Sequence, residues 1–257
     1  MVPRVLTIAG SDSGGGAGIQ ADLKAFAAAG VFGTSAIVAL TAQNTVGVSA
    51  VHEVPEEFIT RQLEAVFSDI GVDAAKTGML FSRRVIEAVT DYLEEHPTTL
   101  VVDPVMVASS GAQLLENDAV EALVTRLFPL AAVVTPNLDE ARVLAGRDGS
   151  KRELAEAIPA AAVIITGGHG HPVDHLYDGE RHVEIRVPRL DTGATHGAGC
   201  THSATLAALL ARGLSLEAAA RGAADAATNA VRHGLSEIGA GDGPVDVLDV
   251  KGTHADR

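Results

Sequence analysis

A single cysteine, Cys200, stands where a glycine-rich turn runs into a helix-forming stretch. The turn from Asp191 to Gly199 carries Thr192, Gly193, Thr195, His196, Gly197 and Gly199. The chain from Cys200 to Arg212 is rich in Ala and Leu, with Leu206, Leu209 and Leu210 at helical spacing and Gly213 as a stop. Glycines feeding a strong helix former expose the first backbone N–H groups of the helix. Those donors and the positive end of the macrodipole suit an anion. A thiol at that junction is pushed toward thiolate, or stands beside whatever anion docks. A structural reading is equally open on this stretch alone: the glycines serve a tight turn and Cys200 fills a small apolar space.

Other polar residues fall where predicted strands end: Ser11 and Asp12, Gln43 and Asn44, Lys76 and Thr77, Asp103, and Asn137. Gln43 and Asn44 offer donors and acceptors together, which suits a heterocycle with ring lone pairs and an exocyclic amine, or a turn that satisfies its own backbone. Asp103 follows an apolar run, where a carboxylate is costly unless it meets a cation. Asp103 and Glu140 are candidates for positioning Mg²⁺. Asp22 lies in the first turns of a helix, where it also complements the dipole. His169, His171 and His175 are near enough in sequence to suggest a metal, but they lie in a glycine loop on no regular face.

Short apolar, β-branched runs alternate with helical segments. Strands are expected at Val5–Ala9, 33–41, 74–77, 100–103, 132–135 and 162–166, with an edge strand or lid at 46–54 and a hairpin of 172–178 and 181–187 around Asp178-Gly179. Helices are expected from Ile19, from Pro55, over 82–95, from Leu138, and in two long Ala-rich stretches after Cys200. This alternation predicts an α/β fold with a mostly parallel central sheet and helices on both faces, a three-layer αβα arrangement. Strand ends of such a sheet converge on one crevice. The opening strand, glycine loop and helix do not form a dinucleotide fingerprint: Gly14, Gly15, Gly16 and Gly18 do not give G-x-G-x-x-G, and no P-loop occurs.

The chain has 257 residues, 47% of them hydrophobic, which suits one large domain spanning 1–257, with a polar tail after about 240 expected to be loose. A net charge of −14 argues against nucleic acid and anionic membranes as partners. The lone cysteine fits a reducing, cytoplasmic setting. No apolar run reaches the ~18 residues of a membrane span.

Six stretches taken together, AGSDSGGGAGIQADLKAF, TAQNTVGV, KTGML, DPVMVASSG, TPNLDEA and THGAGCTHSA, resemble the hydroxymethylpyrimidine and phosphomethylpyrimidine kinases of thiamine biosynthesis, within the ribokinase superfamily. The motifs occur in the family's order over residues 9 to about 205. The resemblance implies a ribokinase-like fold, ATP and Mg²⁺ as cofactors, a homodimer, and two successive phosphorylations of 4-amino-5-hydroxymethyl-2-methylpyrimidine. It implies that Gln43 binds the pyrimidine's amine and ring nitrogen, with the Gly10 backbone, Asp22 and Met79 lining the same pocket. Gly197, Ala198, Gly199 and Cys200 would form the anion hole, with Cys200 where related sugar kinases place an aspartate base. Asp103 and Glu140 would hold Mg²⁺, and Asn137, Thr195 and Lys76 would serve the nucleotide. Two departures stand out: Thr166 where the family often has a lysine, and GAGC where GTGC is commoner. A pyridoxine or pyridoxal kinase is the competing expectation, and a non-catalytic binding protein on the same fold a remoter one.

Overall fold

The computed structural model describes residues 1–107, 111, 114–116, 118–167 and 172–254. Nine strands form one sheet: β1 (Arg4–Asp12), β2 (Phe32–Gln43), β3 (Val48–Glu53), β4 (Ala74–Thr77), β5 (Thr99–Val102), β6 (Val133–Val134), β7 (Val163–Ile165), β8 (Val173–Tyr177) and β9 (His182–Arg186). Their spatial order is β3-β2-β1-β4-β5-β6-β7-β8-β9. The six central strands are parallel, and antiparallel partners close both edges, β3 on one side and the β8–β9 hairpin on the other. The strands are short apolar runs because both faces of a parallel sheet are covered.

Among the described residues eight α-helices provide the cover: α1 (Gly18–Ala28), α2 (Glu56–Ala65), α3 (Arg83–Glu95), α4 (Ala119–Ala122), α5 (Leu138–Ala145), α6 (Lys151–Ala157), α7 (Ala198–Ala211) and α8 (Leu216–Arg232). The period of two along each strand sorts side chains between two cores. Leu6, Ile8, Val102, Val163 and Ile165 pack with α2 to α6. Val5, Val101 and Ile164 pack with α1, α7 and α8. The expected three layers are therefore present.

Three details differ from the sequence reading. Strand β1 runs on to Asp12, with a register irregularity between Ala9 and Ser11 that turns Gly10 toward Met79. Helix α2 continues into a π-type turn over Val66–Ile70, a local winding that periodicity does not reveal. The described part of the segment after 240, expected to be loose, is tied to the rest of the protein at several points. Gly243 exchanges backbone hydrogen bonds with Gly193 and His196, Val245 donates to His196, and the Asp246 carboxylate accepts from Val250 and Lys251. Its polarity reflects backbone pairing with the turn before α7 rather than disorder.

Candidate active site

Because the central strands are parallel, their carboxyl ends share one edge of the sheet. That edge opens into a cavity of about 600 Å³, a volume typical of small-molecule sites. It runs from Gln43 on β2, past Met79, Asp103 and Asn137 after β4, β5 and β6, to the 187–192 segment after β9. Val187 and Leu190 of this segment and Ala224, Ala227 and Val231 of α8 give the cavity an apolar stretch, referred to below as the slot.

Helix α7 crosses the middle of the cavity with its N-terminus inward. Gly197 caps it in the left-handed region at φ 87°, with no side-chain cap. A Cβ there would collide with the Gly16 carbonyl, so glycine is required for the turn to lie against the first glycine loop. The Ala198 N–H bonds to Thr195, while those of Gly199 and Cys200 have no internal acceptor among the described residues. Successive α7 side chains fan along the cavity: Cys200 toward β4, Ser203 onto Asp103 at 2.8 Å, and His202 toward Asp174 on β8 at 3.6 Å. Both ring nitrogens of the buried His202 lack a hydrogen bond among the described residues.

The sequence reading expected a helix terminus to push the Cys200 thiol toward thiolate. The structure corrects this: burial dominates and pushes the thiol up to about 12, against the pull of Lys76 and a hydrogen bond from the Gly18 N–H. Cys200 is a protonated thiol at neutral pH.

Two further expectations change. Asp22 does not line the cavity; it is fully buried behind the wall, accepting from Thr7 at 2.6 Å and from Lys76 at 2.9 and 3.0 Å. Lys76, expected on the nucleotide, forms part of the cavity floor with none of its side chain exposed, clamped to Asp22 and 3.9 Å from Asp103. Burial opposes its charge, but Asp22 and, farther off, Asp103 hold its ammonium above the usual lysine range. It serves as a fixed positive charge beneath the site. Met79 and Gly10 do line the cavity, the Met79 methyl lying over Gly10 where a Cβ would collide with it. Gln43 lines it too, its Oε1 accepting from Thr41 at 3.1 Å, which leaves the amide N–H₂ turned to other partners.

Asn137 and Glu140 form a capping box at the start of α5. Asn137 Oδ1 accepts from the Asp139 and Glu140 N–H groups, and Glu140 Oε2 accepts from the Asn137 N–H. The Asn137 oxygen is thus spent on the helix, and the amide N–H₂ is what it can offer a ligand. Burial, and then Asp103, raise the Glu140 carboxyl to about 7. Among the described residues no group of three or more metal-ligating side chains occurs. The Glu140 oxygens also accept from the Met106 and Asn137 N–H groups, and Asp103 with Glu140, raised mainly by burial, is a carboxylate set that fits Mg²⁺, which takes one or two protein carboxylates and completes its shell with phosphate and water.

Thr195 lines the cavity with its hydroxyl and N–H both committed to Asp242, at 2.8 Å each. Thr166 ends β7 at the cavity wall; Lys151 of α6 reaches its carbonyl at 3.1 Å from outside the cavity. Of the three histidines considered for a metal, His169 and His171 lie outside the described residues. His175 pairs with His182 at 2.8 Å, away from the cavity. Sequence reasoning missed one central contact. The His196 Nε2 meets Asp12 Oδ2 at 2.9 Å, and Asp12 also accepts from the Gly14, Gly16 and Ala17 N–H groups. Burial would raise the Asp12 carboxyl, but His196 and those N–H groups outweigh it and hold it below its ordinary range. The pair joins segments 184 residues apart, and no local pattern announces it.

The sequence matches the profile of the phosphomethylpyrimidine kinase family over residues 12–246. It is 50% identical to a hydroxymethylpyrimidine/phosphomethylpyrimidine kinase of Haemophilus influenzae, covering 95% of this chain and 96% of that one. It is 49% identical to a thiamine biosynthesis bifunctional protein of Geobacter sulfurreducens, covering 94% of this chain and 51% of the relative. The fold superposes on Bacillus subtilis pyridoxal kinase, solved as an ADP complex, with a TM-score of 0.89 and 38% identity over 98% of this chain and 99% of that one. The ribokinase-like architecture is the one expected, and the chain belongs to the phosphomethylpyrimidine kinase family.

Proposed function

We propose that this protein is the ATP-dependent kinase of thiamine biosynthesis that phosphorylates 4-amino-5-hydroxymethyl-2-methylpyrimidine and then its monophosphate. One observation carries the reading: a single cavity has a hydrogen-bonding, methionine-walled end at Gln43, an apolar slot at α8, and between them a helix N-terminus with two unpaired N–H groups. The pyrimidine lies at the first end, where Gln43 meets its amine and ring nitrogen beside Gly10 and Met79. The nucleotide base lies in the slot, and its phosphates extend toward α7 with the Asn137 amide as a donor.

The transferred phosphoryl sits on the Gly199 and Cys200 N–H groups, in the turn shaped by Gly197 and Ala198. These donors are fixed before substrate arrives and face the charge that builds on the equatorial oxygens. Asp103 and Glu140 would hold Mg²⁺, which when bound neutralises part of the phosphate charge. Cys200 borders the attacking oxygen as a neutral thiol. A loose transition state lets P–O bond breaking run ahead of proton loss from the alcohol, so a strong base is not a prerequisite. In the second step the nucleophile is already an anionic phosphate. We further read the protein as a single-domain, cytoplasmic homodimer, with no nucleic acid or membrane partner; no helix among the described residues is long and apolar enough to cross a membrane.

The structural likeness to a pyridoxal kinase motivates the competing substrate. Side-by-side turnover of the hydroxymethylpyrimidine and pyridoxal with Mg-ATP decides between them. We expect the higher kcat/KM for the pyrimidine; a higher value for pyridoxal would reverse the assignment.

A further inference from the structure

The cavity is acidic, yet the proposed nucleotide is strongly anionic. Asp12, Asp103, Glu140, Asp174 and Asp191 all line it. Opposite them, among the described residues, stand two full cations, Lys76 and Arg189, and two histidines. Lys76 is spent: its ammonium is bound to both Asp22 oxygens and lies near Asp103. His196 is spent on Asp12. His202 sits beside Asp174. Arg189 alone among these keeps a formal charge with no ion pair or hydrogen bond to any described residue, and it is exposed at the cavity edge.

Its place in the chain fixes which part of a ligand it faces. The 187–192 segment leads from β9 toward the turn before α7. Val187 and Leu190 on either side of Arg189 line the apolar slot, and Gly197 follows only a few residues later. Along the chain Arg189 thus lies between two stretches that line the same cavity, on the route a phosphate chain would take if the base occupies one and the transferred group the other. A guanidinium is charged at all relevant pH values and presents a planar fork of N–H donors that matches phosphate oxygens.

We propose that Arg189 is a phosphate-binding residue of the nucleotide site, contacting the phosphate chain of ATP while leaving the nucleoside to the apolar slot. This rests on the reading of the protein as an ATP-dependent kinase.

A neighbour provides the control. Arg186 on β9 is also exposed and unpaired among the described residues, but it does not line the cavity. Its removal changes the net charge equally. The test measures calorimetric affinities for ATP and for adenosine, and KM for ATP, in the wild type, Arg189→Ala, Arg189→Gln, Arg189→Lys and Arg186→Ala at one salt concentration. Loss of one charge-assisted contact is expected to weaken ATP about tenfold. Adenosine, which lacks phosphate, should change less than about twofold on the same reasoning. Arg189→Lys should recover part of the loss, and Arg186→Ala should match the wild type. ATP affinity should also fall less steeply with salt in Arg189→Ala.

Equal weakening of ATP and adenosine would overturn the proposal by making Arg189 a packing residue of the slot. So would unchanged ATP affinity, or an effect of Arg186→Ala as large as that of Arg189→Ala. Because Arg189 is exposed, its truncation should leave the fold intact, and thermal melts check each variant. A folded wild type that binds no ATP would instead remove the kinase reading itself, and the proposal with it.

Discussion

Cys200 is where residue-scale chemistry differs most from what its position suggested. A thiol at a helix N-terminus ordinarily ionises early. Here the thiol is half-buried on the cavity wall, and the desolvation imposed by the surrounding protein outweighs Lys76 and the Gly18 N–H, leaving the pKa near 12. Alkylation by iodoacetamide should therefore keep rising with pH up to at least 10 in the ligand-free protein. A plateau with a midpoint near ~8.5, the value of a free thiol, would contradict the account. Glu140 gives a second test. Its carboxyl titrates near 7 in the folded protein, against an ordinary 4.5. The folded state thus holds this proton more tightly than the unfolded one, so the site contributes a stability loss that grows as pH rises from about 4.5 toward 7 and levels off above. Glu140→Gln should flatten this segment of the stability–pH curve and be at least as stable as the wild type at pH 8 without metal. Apparent Mg²⁺ affinity should rise through the same window, because metal and proton compete for the carboxylate. Denaturant melts across pH with and without Mg²⁺ check both; a wild type whose stability relative to Glu140→Gln climbs between pH 5 and 7 would refute the assignment.

At the scale of elements, the site is assembled by the meeting of two glycine turns. The loop after β1 and the turn before α7 touch at Gly16 and Gly197, and the Asp12–His196 pair fastens them. Behind them, the strap around Asp242 holds Thr195. Gly197→Ala should be severe, because it meets the Gly16 carbonyl and adopts a positive φ that alanine resists. We expect kcat to fall by at least about 100-fold through displacement of the anion donors, with destabilisation on the order of 1–3 kcal/mol. A variant with near-normal kcat would mean that the turn does not position those donors. The alternation of apolar runs and helical stretches made this architecture legible, since strands covered on both faces leave a plain signature. The strand ends carrying Gln43, Asp103 and Asn137 were legible for the same reason. Asp12–His196 and Thr195–Asp242 were not, because each joins residues far apart in the chain. Lys76 was half-legible: a lysine inside a buried strand demands a carboxylate, but only the folded arrangement, with α1 against β1 and β4 beside β1, identifies Asp22 as that partner.

For the whole molecule, the order of the sheet explains how one cavity handles two steps. On the proposed reading, the ends of β2, β1 and β4 would supply the pyrimidine end, Asp103 after β5 and Glu140 on α5 the carboxylates for Mg²⁺, and the segment after β9 with α8 the site of the nucleotide base. All face one edge because the central strands are parallel. The most direct measurement is a time course with Mg-ATP and the hydroxymethylpyrimidine, following both products by mass. The account predicts that the monophosphate appears first and is then consumed as the diphosphate accumulates, with two ATP used per diphosphate formed. Unchanged pyrimidine, or a monophosphate that persists with ATP in excess, would contradict it.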